Sequence, residues 1–163
     1  MEDVRTIASY VCQRYRQEYG EHIDEMKLHK LLYFIQRESL IQKGAPLFAC
    51  QFEAWKYGPV MVEIRQLYRH NLLNDQLNAD AVAEYKDVFD KVFEVYAPKD
   101  SWSLSSLTHG EYSWREARKG VAPDGHCSVK MSVDDIMQDA ERIKTRRFLL
   151  RRMDEVIKST KAS

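Results

Sequence analysis

A chain of 163 residues fits one domain, or one domain with an extension, and 44% hydrophobic residues suffice to build its core. Lys+Arg and Asp+Glu number 25 each, so the formal net charge is zero. That excludes a global basic field for nucleic acid, leaves room for a local patch, and favours association with other proteins.

Three cysteines, Cys12, Cys50 and Cys127, are odd in number, widely spaced and never in a CxxC pair. They argue against a disulfide framework or structural zinc site and for a reducing compartment. The opening MEDVRTIASY carries two acids and no apolar run, unlike a signal peptide. No stretch approaches the roughly 18 uncharged apolar residues of a membrane span. A cytoplasmic protein is expected.

Residues 3–19 read as a first helix, with Val4, Ile7, Ala8, Val11 and Tyr15 on one stripe and Gly20 as its stop. A second starts near Asp24, a good N-cap, with Ile23 and Leu28 placed for a hydrophobic staple. Leu28, Leu31, Leu32, Tyr33, Phe34 and Ile35 leave it almost no polar side, so it should lie buried in the middle of the domain. Gly44 and Pro46 end it.

In residues 47–57, Phe48, Cys50, Phe52 and Ala54 alternate with Gln51 and Glu53, the pattern of one or two short strands. Gly58-Pro59 then reads as the opening of a helix, with proline at the first position. Val60, Met61, Ile64, Leu67 and Tyr68 form its stripe. Residues 80–97 predict one further helix, ended by Pro98. Residues 101–118 predict two short helices around the corner Thr108-His109-Gly110, the first capped by Ser101 or Ser103, the second by a Ser113…Glu116 capping box. Pro123-Asp124-Gly125 is a turn, and residues 126–131 can pair with the 50s as a short strand.

Ser132 to Asp135 caps the last helix. Ile136, Ile143, Leu150 and Ile157 recur every seven residues, while Phe148, Leu149 and Val156 lie off that stripe. From Glu141 onward there are eight Lys/Arg against three Asp/Glu. A basic helix with apolar residues on more than one side has surface to offer a partner.

No HExxH, GxSxG, Walker or GxGxxG motif is present. His109 sits at a helix corner, where a histidine more often holds the turn than performs chemistry. His126 and Cys127 are strand neighbours that point to opposite faces, and His22 and His29 stand too far apart to share a metal. No catalytic residue, cofactor or metal is expected. Arg142, Lys144, Arg146, Arg147, Arg151 and Arg152 can neutralise phosphates, but zero net charge and the lack of a helix-turn-helix favour a protein partner over nucleic acid.

Three blocks resemble the Panacea domain, the SocA-like antitoxin domain found in phage-associated proteins. The first is Lys27-Leu28-His29-Lys30-Leu31-Leu32-Tyr33-Phe34, similar to the family's KLQKLLYF with His29 in place of glutamine. The second is Pro46-Leu47-Phe48 with Phe52-Glu53-Ala54-Trp55-Lys56-Tyr57-Gly58-Pro59-Val60. The third is Leu104-Ser105-Ser106-Leu107-Thr108-His109 followed by Trp114-Arg115-Glu116-Ala117-Arg118. Met61-Val62-Glu63 departs from the family, which often has proline there.

The resemblance implies a non-enzymatic antitoxin that neutralises a cognate toxin by direct protein–protein binding. A SocA-type relative instead delivers its toxin to a Clp protease, and a DNA-binding regulator using the basic tail is the other alternative. The expected fold is mainly α (α+β): a compact helical bundle of about six to seven helices with a small two- to three-stranded antiparallel sheet. Residues 1–20 would form an accessory helix, 21–143 the Panacea domain and 144–163 a basic extension.

Of the family-motif residues, Lys27, Leu31, Leu32, Trp55, Lys56, Tyr57, Gly58, Pro59, Thr108, His109 and Trp114 are expected to be structural, with Trp55 and Tyr57 packing the sheet onto the buried helix. Toxin contact is placed on Arg147, Phe148, Leu149, Arg151 and Arg152, with the N-terminal helix second.

Overall fold

A computed structural model describes residues 1–49 and 51–162. Among them are eight helices and one two-stranded sheet: α1 (Val4–Tyr19), α2 (Glu25–Lys43), β1 (Glu53–Trp55), β2 (Gly58–Val60), α3 (Val62–Arg69), α4 (Ala79–Glu84), α5 (Lys86–Val95), α6 (Ser101–His109), α7 (Tyr112–Ala117) and α8 (Val133–Ala162). The class is mainly α, as the patterning indicates. The helix count exceeds six to seven because residues 80–97 are two helices. The chain breaks at Tyr85 (φ −102°, ψ 15°), which closes α4 and opens α5.

The fold is built around α2. Its residues from Lys27 to Leu40 are all buried, and α1, α3, α5, α6, α8 and β2 pack on it. Asp24 caps its start by accepting from Lys27 N at 2.9 Å, and Gly44 ends it in the left-handed region at φ 69°. Leu28, Leu31, Leu32, Tyr33, Phe34 and Ile35 fill the core. Fully burying each such side chain contributes about 1.5–3 kcal/mol.

Polar residues on a helix buried all round need internal partners. Lys27 Nζ donates to Ala97 O at 3.0 Å, and Gln36 Nε2 to Phe48 O at 2.7 Å. Arg37 meets Glu111 at 2.8 Å and donates to the Tyr96 hydroxyl. Tyr33 donates to Glu111 at 2.7 Å.

The aromatic stretch forms a hairpin. Trp55 opposes Gly58, Ala54 opposes Pro59, and Glu53 opposes Val60. Gly58-Pro59 therefore lies in β2 and does not open a helix; α3 begins at Val62 after Met61. The reason is hydrogen-bond geometry. Ala54 donates its N–H to Val129 O at 2.9 Å, away from β2, so the N–H that Pro59 lacks is not needed in the ladder. Residues 126–131 join β1 through a bridge between Glu53 and Lys130, with Met131 N donating to Phe52 O at 2.8 Å, but form no strand of their own. Phe48, Phe52 and Ala54 are buried; Cys50 of that alternation lies outside the described residues.

Two caps differ from the local reading. Asp100, not Ser101 or Ser103, caps α6, accepting from Ser103 N at 2.9 Å. No Ser113…Glu116 box opens α7. The buried carboxylate of Asp139, on α8, accepts from Tyr112 N at 2.8 Å and Ser113 N at 2.9 Å. A helix start can be capped by a distant chain segment as well as by its own residues.

Candidate partner-binding surface

The three motif blocks meet at the hairpin. Lys30 from α2, Gly58 from β2 and Thr108 from α6 share one point. Gly58 has φ 113°, and a Cβ there would stand 2.5 Å from Thr108 Oγ1 and 2.7 Å from Lys30 Cε. Only glycine fits both that backbone angle and that space. Thr108 Oγ1 donates to Ser105 O, and Ser105 Oγ donates to Tyr57 O, each at 2.7 Å. Lys30 Nζ donates to Pro59 O at 3.2 Å. The hairpin is thus held by hydrogen bonds from α2 and α6.

His109 stacks on Trp114, centroids 4.3 Å apart and planes 15° apart. Trp114 Nε1 donates to Trp55 O at 2.8 Å, and Arg118 donates to Ala54 O at 2.9 Å. Burial pulls the His109 pKa down, against a main-chain hydrogen bond with Lys56 that raises it. Lys27, Leu31 and Leu32 are interior on α2. Tyr57 is not packed between sheet and α2: it is 45% exposed, with its ring against Trp102 in a T-shape at 5.3 Å, whereas Trp55 is half-buried with the Arg65 guanidinium 5.2 Å over its ring. A hairpin turn of only Lys56 and Tyr57 leaves Tyr57 no interior to reach.

Six of the exposed large apolar side chains among the described residues lie on the second half of α8. Its first half is fixed by buried Ile136, Asp139 and Ala140. The last tie to the core is Arg147, whose guanidinium donates to both Glu38 oxygens at 2.8 and 3.0 Å. From Phe148 onward every described residue is exposed. Phe148, Leu149, Leu150, Met153, Val156 and Ile157 lie between 51% and 63% open.

At 100° per residue, Leu149, Leu150, Met153, Val156 and Ile157 fall on one stripe, with Phe148 apart from it. Arg151, Lys158 and Lys161 stand outside the stripe, and Arg152 is 4.0 Å from Glu155. So Phe148, Leu149, Arg151 and Arg152 are open to a partner, whereas Arg147 is spent on Glu38. The sequence pattern found the apolar tail but gave no sign of Glu38, Arg37, Glu111 or Asp139 as interior polar groups. Charged residues inside an apolar helix were the available signal.

Among the described residues, no group of three His, Cys, Asp or Glu is arranged to hold a metal, and no helix is long and apolar enough to cross a membrane.

The family model described as antitoxin SocA-like, Panacea domain, matches residues 28–115, more than half of the chain, from α2 into α7. Antitoxin SocA of Caulobacter vibrioides (strain NA1000 / CB15N) is 43% identical over 49 residues, which is 30% of this chain and 26% of that protein. The match thus spans about a quarter of the relative's length. No solved structure matches the chain.

Proposed function

This chain belongs to the antitoxin SocA-like, Panacea-domain family, and on that premise we propose that it is a cytoplasmic, non-enzymatic antitoxin that neutralises a cognate toxin by direct binding. The observation that carries the mode of action is the bare stripe on α8. Fifteen described residues from Phe148 to Ala162 form helix, and every one of them is exposed. A helix of that length is marginal alone in water, and an apolar stripe on it is a surface awaiting a groove.

The stripe supplies the apolar anchors, and the flanking Arg151, Arg152, Lys158 and Lys161 select a partner with an acidic rim. The tail lies beyond the residues that match the family, where a toxin-specific surface can vary without disturbing the hairpin nexus. Residues 144–163 act in this reading as the recognition extension of a domain formed by 21–143, with α1 as an accessory helix.

The test is co-expression with the product of the adjacent gene. Neutralisation and co-purification are expected with the intact chain, and loss of both when Met153 and Val156 are replaced by Asp. Rescue that survives those changes, with the partner still co-purifying, rules out the tail as the toxin contact. Failure of the intact chain to rescue or bind rules out the antitoxin reading for that pair.

A further inference from the structure

At the N-terminal end of α2, away from the tail, a groove of about 360 Å³ opens between α2, the hairpin and the turn at residues 124–126. That is within the size range of small-molecule sites. Trp55, Tyr57 and Met26 supply apolar wall; Lys56, Arg65 and His126 bring positive or protonatable groups to it, and Glu25 and Asp124 bring carboxylates to its rim.

Two residues with buried nitrogens line it. Lys30 is 1% exposed, and its ammonium has one acceptor, the Pro59 carbonyl at 3.2 Å. Among the described residues no carboxylate pairs with it. His29 is equally buried. Its Nδ1 accepts from Met61 N at 3.3 Å, which leaves the proton on Nε2, and Nε2 has no hydrogen-bond partner. Glu25 stands 3.6 Å away, beyond good hydrogen-bond distance though close enough for each group to shift the other's pKa, and is engaged by Arg65 at 2.6 Å and Arg69 at 2.9 Å.

A buried cation with a single neutral acceptor and a buried N–H with none are costly unless something completes them. We propose that this groove is a binding site for a small organic anion, whose carboxylate or phosphate seats on Lys30 Nζ and His29 Nε2 and whose flat apolar body lies against Trp55 and Tyr57. Burial pulls the Lys30 pKa down to about 7, against the carboxylates of Asp24 and Glu25, which raise it without pairing with it. The bound anion supplies the charge that pairs. This site is independent of the tail and of the antitoxin reading.

The full-length protein is titrated with indole-3-acetate, adenosine 5′-monophosphate and inorganic phosphate, and with the neutral analogues indole-3-acetamide and adenosine. Binding is followed by the indole N–H resonance of Trp55 in NMR spectra. Saturable binding of an aromatic anion is expected, with its neutral analogue and bare phosphate weaker by about tenfold or more, the loss typical of one charged hydrogen bond. The tighter of the carboxylate and the monophosphate identifies the acid group.

Lys30→Met and Tyr57→Ala should each weaken binding about tenfold. If Lys30→Met does not fold, the anion-against-neutral comparison and Tyr57→Ala decide. The proposal is overturned by the absence of saturable binding up to about 10 mM, weaker than any useful site. It is likewise overturned by equal binding of neutral analogues, by unchanged affinity in folded Lys30→Met, or by a groove that takes only an acidic segment of a protein partner.

Discussion

Arg147 and Glu38 mark where α8 leaves the body of the protein. The guanidinium grips both carboxylate oxygens at 2.8 and 3.0 Å, and Glu38 is 1% exposed. Residues of α8 before this pair are packed on α2 and α7; those after it are bare. The pair therefore sets the direction in which the tail projects.

Removing Arg147 strands a buried carboxylate. Arg147→Ala should cost about 1–3 kcal/mol, below the full penalty for a buried pair because the arginine side chain is 28% exposed. Urea unfolding measures it. Adding Glu38→Gln should recover part of the loss, because the uncompensated charge is then gone. If the double variant is as unstable as the sum of the singles, the two residues are not coupled.

The tail substitutions should leave stability alone. Met153→Asp and Val156→Asp lie on exposed helix and should move the unfolding free energy by no more than about 0.5 kcal/mol. Partner binding should fall at least tenfold if the apolar stripe is the anchor. A matching loss of stability in thermal melts would show instead that the stripe packs within the free protein.

Gly58→Ala tests the nexus. The backbone angle of 113° disfavours any L side chain, and the new methyl would stand 2.5 Å from Thr108 Oγ1. Strain and overpacking together predict a loss of about 3 kcal/mol. Thr108→Ala relieves that clash but neither the one with Lys30 Cε at 2.7 Å nor the angle, so it should recover only part of the stability in the Gly58→Ala background. Full recovery would mean that the clash with Thr108 alone was responsible.

Lys30 gives the protein a defined pH response. Its pKa is about 7 folded, against an ordinary 10.5 in the unfolded chain. Below 7 both states hold the proton, and the burial penalty is complete. Between 7 and 10.5 the unfolded state holds more protons, so stability rises with pH by up to about 1.4 kcal/mol per pH unit. Lys30→Met should be more stable than the parent near neutrality, and that advantage should shrink as pH rises. The Cys12 thiol, pushed up to about 11 by burial, acts in the opposite sense above 9 in both proteins and cancels in the comparison. Parallel pH profiles from urea midpoints would exclude a depressed Lys30.

Glu25 acts at the acid end. His29, Arg69 and Arg65 together hold its carboxyl at about 2, against 4.5 in the unfolded chain. Its contribution is complete above 4.5 and is lost as pH falls toward 2. Glu25→Gln should therefore flatten the acid limb of the stability profile while leaving the slope between 7 and 10.5 unchanged. An unchanged acid limb would show that the Arg65 and Arg69 contacts are screened away by solvent.

The amino-acid sequence alone determined the features that depend on neighbours a few residues apart. Asp24, Gly20 and Gly44 act at helix ends because capping is local, and the apolar run from Leu28 to Ile35 could only be buried. The apolar and basic character of the tail was legible for the same reason, whereas its exposure was decided by the fold. Tertiary structure decided what distant segments do for one another. Pro59 sits in a strand because Ala54 gives its N–H to Val129. Asp139 starts a helix that begins 27 residues earlier. Arg147, one basic residue among several in the sequence, is distinguished only by the Glu38 that folding brings beneath it. Buried polar groups must be satisfied, but nothing local dictates by which partner, and that choice left Lys30 with one carbonyl acceptor and His29 Nε2 with none beside a groove.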